Sequence, residues 1–277
     1  MELKEIDGII DTALREDLPQ GDITSENIIP CDSVSEAVLL AKEAGVLAGI
    51  DVARKVFEKI DPGISFQKNF EDGQRFKKGD VLTRLKGNSI SLLKGERTAL
   101  NFLQRMSGIA TTTRKFVQAA RGTKTKILDT RKTTPGLRIL EKYAVRMGGG
   151  VNHRLNLSDM VLIKDNHLQL VGSISEAVSR SKKHVNPGIK IEVEVTNLNE
   201  AKEALASQAD IIMLDNMPLR KMKEVVRLIG GKVPIEVSGK VKIKQVKGIA
   251  SLGVDFISVG ALTHSSKSVD ISLEFVK

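Results

Sequence analysis

The feature that most limits what this chain can become is a regular spacing of polar residues at the ends of short apolar runs. Strand-like runs occur at 126–129, 160–163, 190–195, 211–214, 235–237 and 256–259. Each of the first five precedes an amphipathic segment of helix length, the pattern of repeated β/α units around a parallel sheet. The runs close on Thr130-Arg131-Lys132, Lys164-Asp165, Glu194, Asp215, Ser238-Gly239 and Gly260. From Glu194 onward these ends are 21, 23 and 22 residues apart, a steady β/α period. In a β/α barrel the carboxyl ends of the strands open onto one mouth, where chemistry is done. The spacing therefore predicts that Arg131, Lys132, Lys164, Glu194 and Asp215 surround one cavity. The plainer alternative is that polar residues end strands because the chain must turn there.

The first half reads differently. Leu3, Ile6, Ile9, Ile10, Ala13 and Leu14 recur at helical spacing, so an amphipathic helix is expected over 2–16, ended by the turn at Pro19–Gly21. Extended pieces at 34–41, 45–50, 64–70 and 80–85, with a helix at 51–60, suggest an α+β domain. Turns are expected at 71–73 and 78–80. A long helical stretch from 92 to 120, broken near Gly108, leads into the second half. The chain is thus divided into an N-terminal α+β domain over 1–108 and a β/α domain over 109–277. The run 270–276 is either a further strand or a return to the first domain.

Charge is concentrated where the strand ends begin. The formal charge is +9, from 43 Lys and Arg against 34 Asp and Glu. Between Arg121 and Lys164 ten bases meet three acids (Asp129, Glu141 and Asp159), so this segment holds +7 of that total. Such a stretch is a solvated face, a nucleic-acid footprint or a pocket for a polyanionic small molecule. Aromatic residues number nine, eight Phe and Tyr143, and none sits in a stacking motif of the kind a single-strand binder uses. No apolar run is long enough to cross a bilayer, and the first twenty residues have no apolar signal core. A single cysteine, Cys31, builds no disulfide framework and points to a reducing, cytoplasmic setting.

Individual motifs are less decisive. Gly148–Gly150, followed by Asn152-His153-Arg154, reads as a phosphate-cradling loop or a flexible connector. The mononucleotide and dinucleotide glycine fingerprints are absent. Ser238-Gly239 and Gly260–Thr263 follow late strands, where barrels often bind phosphate through backbone N–H groups. His153, His167, His184 and His264 show no spacing suited to zinc. Glu194 and Asp215 are hard oxygen ligands suited to magnesium, or else ion-pair partners of Lys132 or Lys164. Arg97, on an apolar helix, reads by itself as a surface or interface residue.

Taken together the motifs are more specific. The blocks Asp129-Thr-Arg-Lys-Thr-Thr-Pro-Gly-Leu-Arg138, Gly148-Gly-Gly-Val-Asn-His-Arg154 and Leu162-Ile-Lys-Asp-Asn-His167 strongly resemble the quinolinate phosphoribosyltransferase family. The likeness extends to Glu192-Val-Glu-Val195, Leu214-Asp-Asn216 and Val259-Gly-Ala-Leu-Thr-His-Ser265, and back to Glu96-Arg-Thr-Ala-Leu-Asn101 and Glu16-Asp17…Gly21-Asp-Ile-Thr24. It covers essentially the whole chain in order. The nearest rival of the same fold, a pyrophosphorylase-like protein of molybdenum metabolism, lacks the full set of these blocks.

The resemblance implies an incomplete seven-stranded β/α barrel preceded by an α+β sandwich domain, working as a homodimer or a multiple of dimers. It implies transfer of the phosphoribosyl group of phosphoribosyl pyrophosphate to quinolinate, with magnesium and with loss of carbon dioxide and pyrophosphate. Arg131, His153, Arg154 and Lys164 would then hold the two quinolinate carboxylates, Thr130 would bind substrate beside them, and Arg97 would reach the same pocket from a neighbouring subunit. Lys132, Glu194 and Asp215 would be catalytic, Lys132 facing pyrophosphate and the two acids serving ribose hydroxyls and magnesium. Ser238, Gly239, Gly260 and His264 would lie near phosphate, and Lys240 and Ala261 would also bind substrate. Two positions depart from the family pattern as expected: Lys240 stands where Gly or Asn is usual, and Met147 replaces a common Cys.

Overall fold

A computed structural model describes residues 6–276. In chain order the elements begin with α1 (Asp7–Asp17), α2 (Ser25–Ile28), β1 (Val34–Ala41), β2 (Gly45–Val46) and α3 (Ile50–Ile60). They continue with β3 (Ser65–Lys68), β4 (Arg75–Phe76), β5 (Val81–Asn88), α4 (Ser89–Ala119), β6 (Lys126–Leu128) and α5 (Arg138–Met147). The alternating part then runs β7 (Val161–Ile163), α6 (Asp165–Val171), α7 (Ile174–His184), β8 (Ile191–Val195), α8 (Leu198–Ala206) and β9 (Ile211–Asp215). Last come α9 (Leu219–Ile229), β10 (Ile235–Ser238), α10 (Ile243–Ala250), β11 (Phe256–Ser258), α11 (Ala261–His264) and β12 (Ile271–Phe275). The start of the helix expected over 2–16, with Leu3, lies outside the described residues.

Two compact units are formed. The first gathers residues 1–114, 133–149 and 262–277; the second holds 115–132 and 150–261. In the first, an antiparallel sheet runs in the order β12-β1-β5-β3. The run near the C-terminal end is therefore a strand of this unit, with Leu273 opposite Leu39. Ala37, Leu39 and Ala41 are buried in the core, and Val38 between them is buried as well.

Gly108 was expected to break the long helix, yet α4 runs unbroken from Ser89 to Ala119. A Cβ at Gly108 would collide with the carbonyl oxygen of Lys267. The glycine therefore serves close approach of another backbone rather than a bend, and the remaining α4 residues supply the helix propensity. Gly148 plays the same part: a Cβ there would lie 2.6 Å from the Ala110 carbonyl oxygen on α4. Its neighbour Gly149 has φ 90°, a left-handed conformation that favours glycine. The glycine triplet thus begins as a packing device.

The second unit is a parallel sheet in the order β6-β11-β10-β9-β8-β7. Val151 adds a single parallel bridge to Leu128 on the outer side of β6, so six regular strands and one bridging residue make up the incomplete barrel. Two of the helices between the strands, α7 and α8, start on side-chain caps. Ser173 accepts the Glu176 N–H at 3.2 Å and Asn197 accepts the Glu200 N–H at 3.0 Å. Ile191, Val193 and Val195 are buried apolar residues of β8, and the two glutamates alternate with them on the opposite face.

Candidate active site

The carboxyl ends of the strands surround one cavity of about 460 Å³ in the second unit. Thr130, Arg131 and Lys132 reach it after β6, Lys164 after β7, Glu194 from β8 and Asp215 from β9. His153 and Arg154 enter from the segment between β6 and β7, and Ser238, Gly239 and Lys240 from the end of β10. The five charged residues singled out by strand spacing thus meet. Gly260 and Ala261 follow β11 but do not line the cavity. Arg97, on α4, and His264, at the end of α11, belong to the first unit. There Arg97 is exposed, 3.9 Å from Glu96, and His264 Nδ1 shares a 2.6 Å hydrogen bond with Ser265.

Asp129 joins the two most specific motifs. It is fully buried, its Oδ1 accepts the His153 N–H at 2.9 Å, and its Oδ2 accepts from the Asn152 amide. The Arg131-Lys132 and His153-Arg154 pairs are therefore held by one carboxylate, which also explains why the second motif needs an amide at position 152. Thr130 Oγ1 takes the Lys132 N–H at 3.1 Å. In the block at 164–167, His167 Nδ1 accepts the Lys164 N–H at 3.0 Å, so that histidine caps α6.

Cations are crowded on one side. Burial, and then the neighbouring charge of Arg131, push the Arg154 guanidinium below its ordinary value. Its Nη1 donates to the Met160 carbonyl at 2.9 Å. Lys164 Nζ forms an ion pair with Glu194 Oε2 at 2.6 Å, one of the two pairings considered for that acid. Asp215 Oδ2 accepts from the Asn216 amide. Glu194 and Asp215 thus supply carboxylate oxygens from adjacent strands to the same cavity, a donor set of the hard kind that suits magnesium. By contrast Lys142, in the basic stretch, is buried rather than on a solvated face, and Lys124 pairs with Asp255 at 2.6 Å.

The turn after β10 is tightly built. Gly239 has φ 100°, and a Cβ there would lie 2.6 Å from the Asn216 backbone nitrogen. Lys240 adopts φ 47°, a left-handed conformation that explains why Gly or Asn suits the position.

Two residues of this region escaped the sequence reading as functional candidates. Glu192 and Glu236 are buried acids in the middle of apolar strands, beside His153. Burial pushes Glu192 up to about 7, and burial with the charge of Glu192 pushes Glu236 up to about 8. Glu236 also accepts a hydrogen bond from Ser258 Oγ. The signal was available in strand parity, since Glu192 stands two residues before Glu194 and Glu236 two before Ser238. Together with His153 the two acids place three donor atoms within 4.8 Å of one another. The histidine Nδ1 accepts the Arg154 N–H, so the ring turns a proton and not a lone pair toward them. In this arrangement the Nε2–H is directed at the two carboxylates.

Comparison with known proteins places the chain in a family. Residues 22–107 match the model of the quinolinate phosphoribosyl transferase N-terminal domain, and residues 109–274 match that of the C-terminal domain. A probable nicotinate-nucleotide pyrophosphorylase [carboxylating] of Synechocystis is 45% identical, covering 98% of this chain and 93% of the relative. A probable counterpart in Bacillus subtilis is 42% identical over 94% of this chain and 89% of its own length. Among solved structures, NadC from Streptococcus pyogenes superposes with a TM-score of 0.96 at 43% identity, covering 100% of this chain and 99% of that one. With both halves of the chain matched in order and strand ends converging on one cationic cavity, this chain belongs to the quinolinate phosphoribosyl transferase family.

Proposed function

We propose that this chain transfers the phosphoribosyl group of phosphoribosyl pyrophosphate to quinolinate, yielding nicotinate mononucleotide, carbon dioxide and pyrophosphate. The observation that carries the reading is the crowding of Arg131, Arg154 and Lys164 in one small cavity. Like charges held together in advance raise the free energy of the empty site and lower that of an occupied one, provided the ligand is a multiple anion. Quinolinate is a dianion. Its two carboxylates match guanidinium forks and an ammonium better than a single phosphate would.

The remaining residues divide the second substrate. Lys132 faces the pyrophosphate leaving group, and Ser238, Gly239 and Lys240 offer a hydroxyl, an unobstructed backbone and a cation to phosphate. Glu194 and Asp215 serve the ribose hydroxyls, and their negative charge favours the oxocarbenium character that develops at the ribosyl carbon. Glu194 and Asp215 would also hold magnesium, directly or through water, and the bound ion would supply positive charge for the departing pyrophosphate. No general base is needed, because the pyridine nitrogen attacks with its own lone pair. Once alkylated, that nitrogen is cationic and accepts the electron pair released when the adjacent carboxylate leaves as carbon dioxide. Orientation of two repelling anions is then the main contribution of the protein.

The finer expectations follow the same reading. The active form is a homodimer in which Arg97 of one copy completes the cavity of the other, and the enzyme works in the cytoplasm. Among the described residues no helix is long and apolar enough to cross a membrane. The rival class, nucleic-acid binding, is disfavoured because the cavity is lined by no aromatic side chain. An assay with quinolinate, phosphoribosyl pyrophosphate and magnesium tests the proposal. Equal yields of pyrophosphate and carbon dioxide are expected, with loss of turnover when EDTA removes the metal. Folded protein that forms neither product overturns it.

A further inference from the structure

Both ring nitrogens of His153 are already engaged inside the protein. Nδ1 accepts the Arg154 backbone N–H at 2.8 Å and therefore carries a lone pair. The ring proton then sits on Nε2, which faces Glu192 Oε2 at 3.0 Å and Glu236 Oε2 at 3.6 Å. A ring bonded in this way has no N–H left for a substrate carboxylate. Its side chain is also only 8% exposed. Beneath it, Glu236 is steadied by Ser258, and both acids are fixed in regular strands. Above it, two successive amides are held: His153 N on Asp129 and Arg154 N on the imidazole.

We propose that His153, Glu192 and Glu236 are positioning residues: the two carboxylates orient the imidazole, and the imidazole fixes the Arg154 backbone so that its guanidinium meets the substrate. This differs from the role that family resemblance implied for His153, a direct contact to quinolinate. It rests on the reading of the cavity as a site for an aromatic dicarboxylate. The physical logic is that a guanidinium fork is useful only when held within a fraction of an ångström of its partner, which requires a supported main chain. Side-chain rotamers of a long Arg would otherwise spread the charge over the cavity mouth.

The test has a kinetic and a spectroscopic arm. Glu192→Gln keeps a carbonyl oxygen for the Nε2–H, whereas Glu192→Leu removes the acceptor. The Gln variant is expected to keep its KM for quinolinate within about twofold, while the Leu variant raises it about tenfold, the scale of one lost hydrogen bond to a charged group. KM for phosphoribosyl pyrophosphate should move little in either. An unchanged quinolinate KM in a folded Leu variant, or a Gln variant as impaired as the Leu one, overturns the proposal. Nitrogen-15 spectra of the histidine side chains need no folded variant of Glu192. With the His153 signal assigned through His153→Asn, a neutral ring protonated on Nε2 is expected both free and saturated with quinolinate. A proton on Nδ1 in either state overturns the positioning role. Calorimetry on the same wild-type sample separates the two levels of the claim, because absence of quinolinate binding defeats the substrate reading and the proposal with it.

Discussion

Lys164 Nζ lies 2.6 Å from Glu194 Oε2, so the ammonium just beyond β7 is bound to the carboxylate near the end of β8. The lysine remains well exposed and the glutamate is nearly buried. In this arrangement the acid holds the ammonium at the cavity edge, where an entering carboxylate can take up its free protons. Replacing Lys164 by Met keeps the stem but removes the charge. The expected result is a rise in quinolinate KM of about tenfold to a hundredfold, the worth of one charge-assisted hydrogen bond. Steady-state kinetics at fixed phosphoribosyl pyrophosphate measures it.

Arg97 offers a test of subunit sharing. Arg97→Ala and Lys164→Ala proteins should each be nearly inactive alone when assayed at quinolinate concentrations near the wild-type KM. Hybrid dimers carrying one copy of each should regain one working site of the two, because the intact Arg97 and the intact Lys164 meet across the pair. Hybrids isolated with two affinity tags that stay inactive would remove Arg97 from the site.

Gly239 is constrained twice, by its φ of 100° and by the Asn216 backbone nitrogen only 2.6 Å from the place of a Cβ. Gly239→Ala should therefore destabilise the protein by about 1–3 kcal/mol, the usual range for a strained backbone position. It should also raise KM for phosphoribosyl pyrophosphate, since Asn216 and Lys240 flank the same turn. Denaturant unfolding and kinetics report the two effects separately.

Glu236 makes stability depend on pH. Burial and the charge of Glu192 keep its carboxyl protonated up to about pH 8 in the folded protein, against an ordinary 4.5 in the unfolded chain. Between these values the folded state binds more protons, so this group's stabilising contribution is full at low pH and is lost as pH rises through 8. Glu236→Gln copies the protonated acid and cannot ionise. It should match the wild type near pH 5 and exceed its stability near pH 9. The gap can open by at most about 1.4 kcal/mol per pH unit. Urea unfolding at the two pH values decides, and a Gln variant that loses ground at high pH would contradict the raised value.

Much of this architecture was legible because parallel strands covered on both faces must be apolar until they end. Arg131, Lys164, Glu194 and Asp215 stood out as the first charges after such runs, and the β/α period carried them to one mouth. The same logic hid Glu192 and Glu236, since an acid inside an apolar run reads as an interruption of the core rather than part of a site. Only the alternation of side chains across the strand reveals that it shares a face with the residue two places on. Gly108 was misjudged for a different reason. Helix propensity is local, whereas the carbonyl of Lys267 that demands a glycine there comes from far along the chain. The first glycine of the triplet at 148–150 answers to a similar demand, the Ala110 carbonyl on α4, which no local spacing reveals.

The antiparallel sheet joins strands from opposite ends of the sequence, with β12 paired to β1. During synthesis, residues 34–41 leave the ribosome long before 271–275 exist. The unit that contains them must wait, its sheet lacking one edge strand and Gly108 lacking the backbone it faces. The parallel sheet needs no strand later than β11, so its strands are all made before β12. The antiparallel sheet is thus the last to have all of its strands, although β1, its earliest strand, is the first strand to be made.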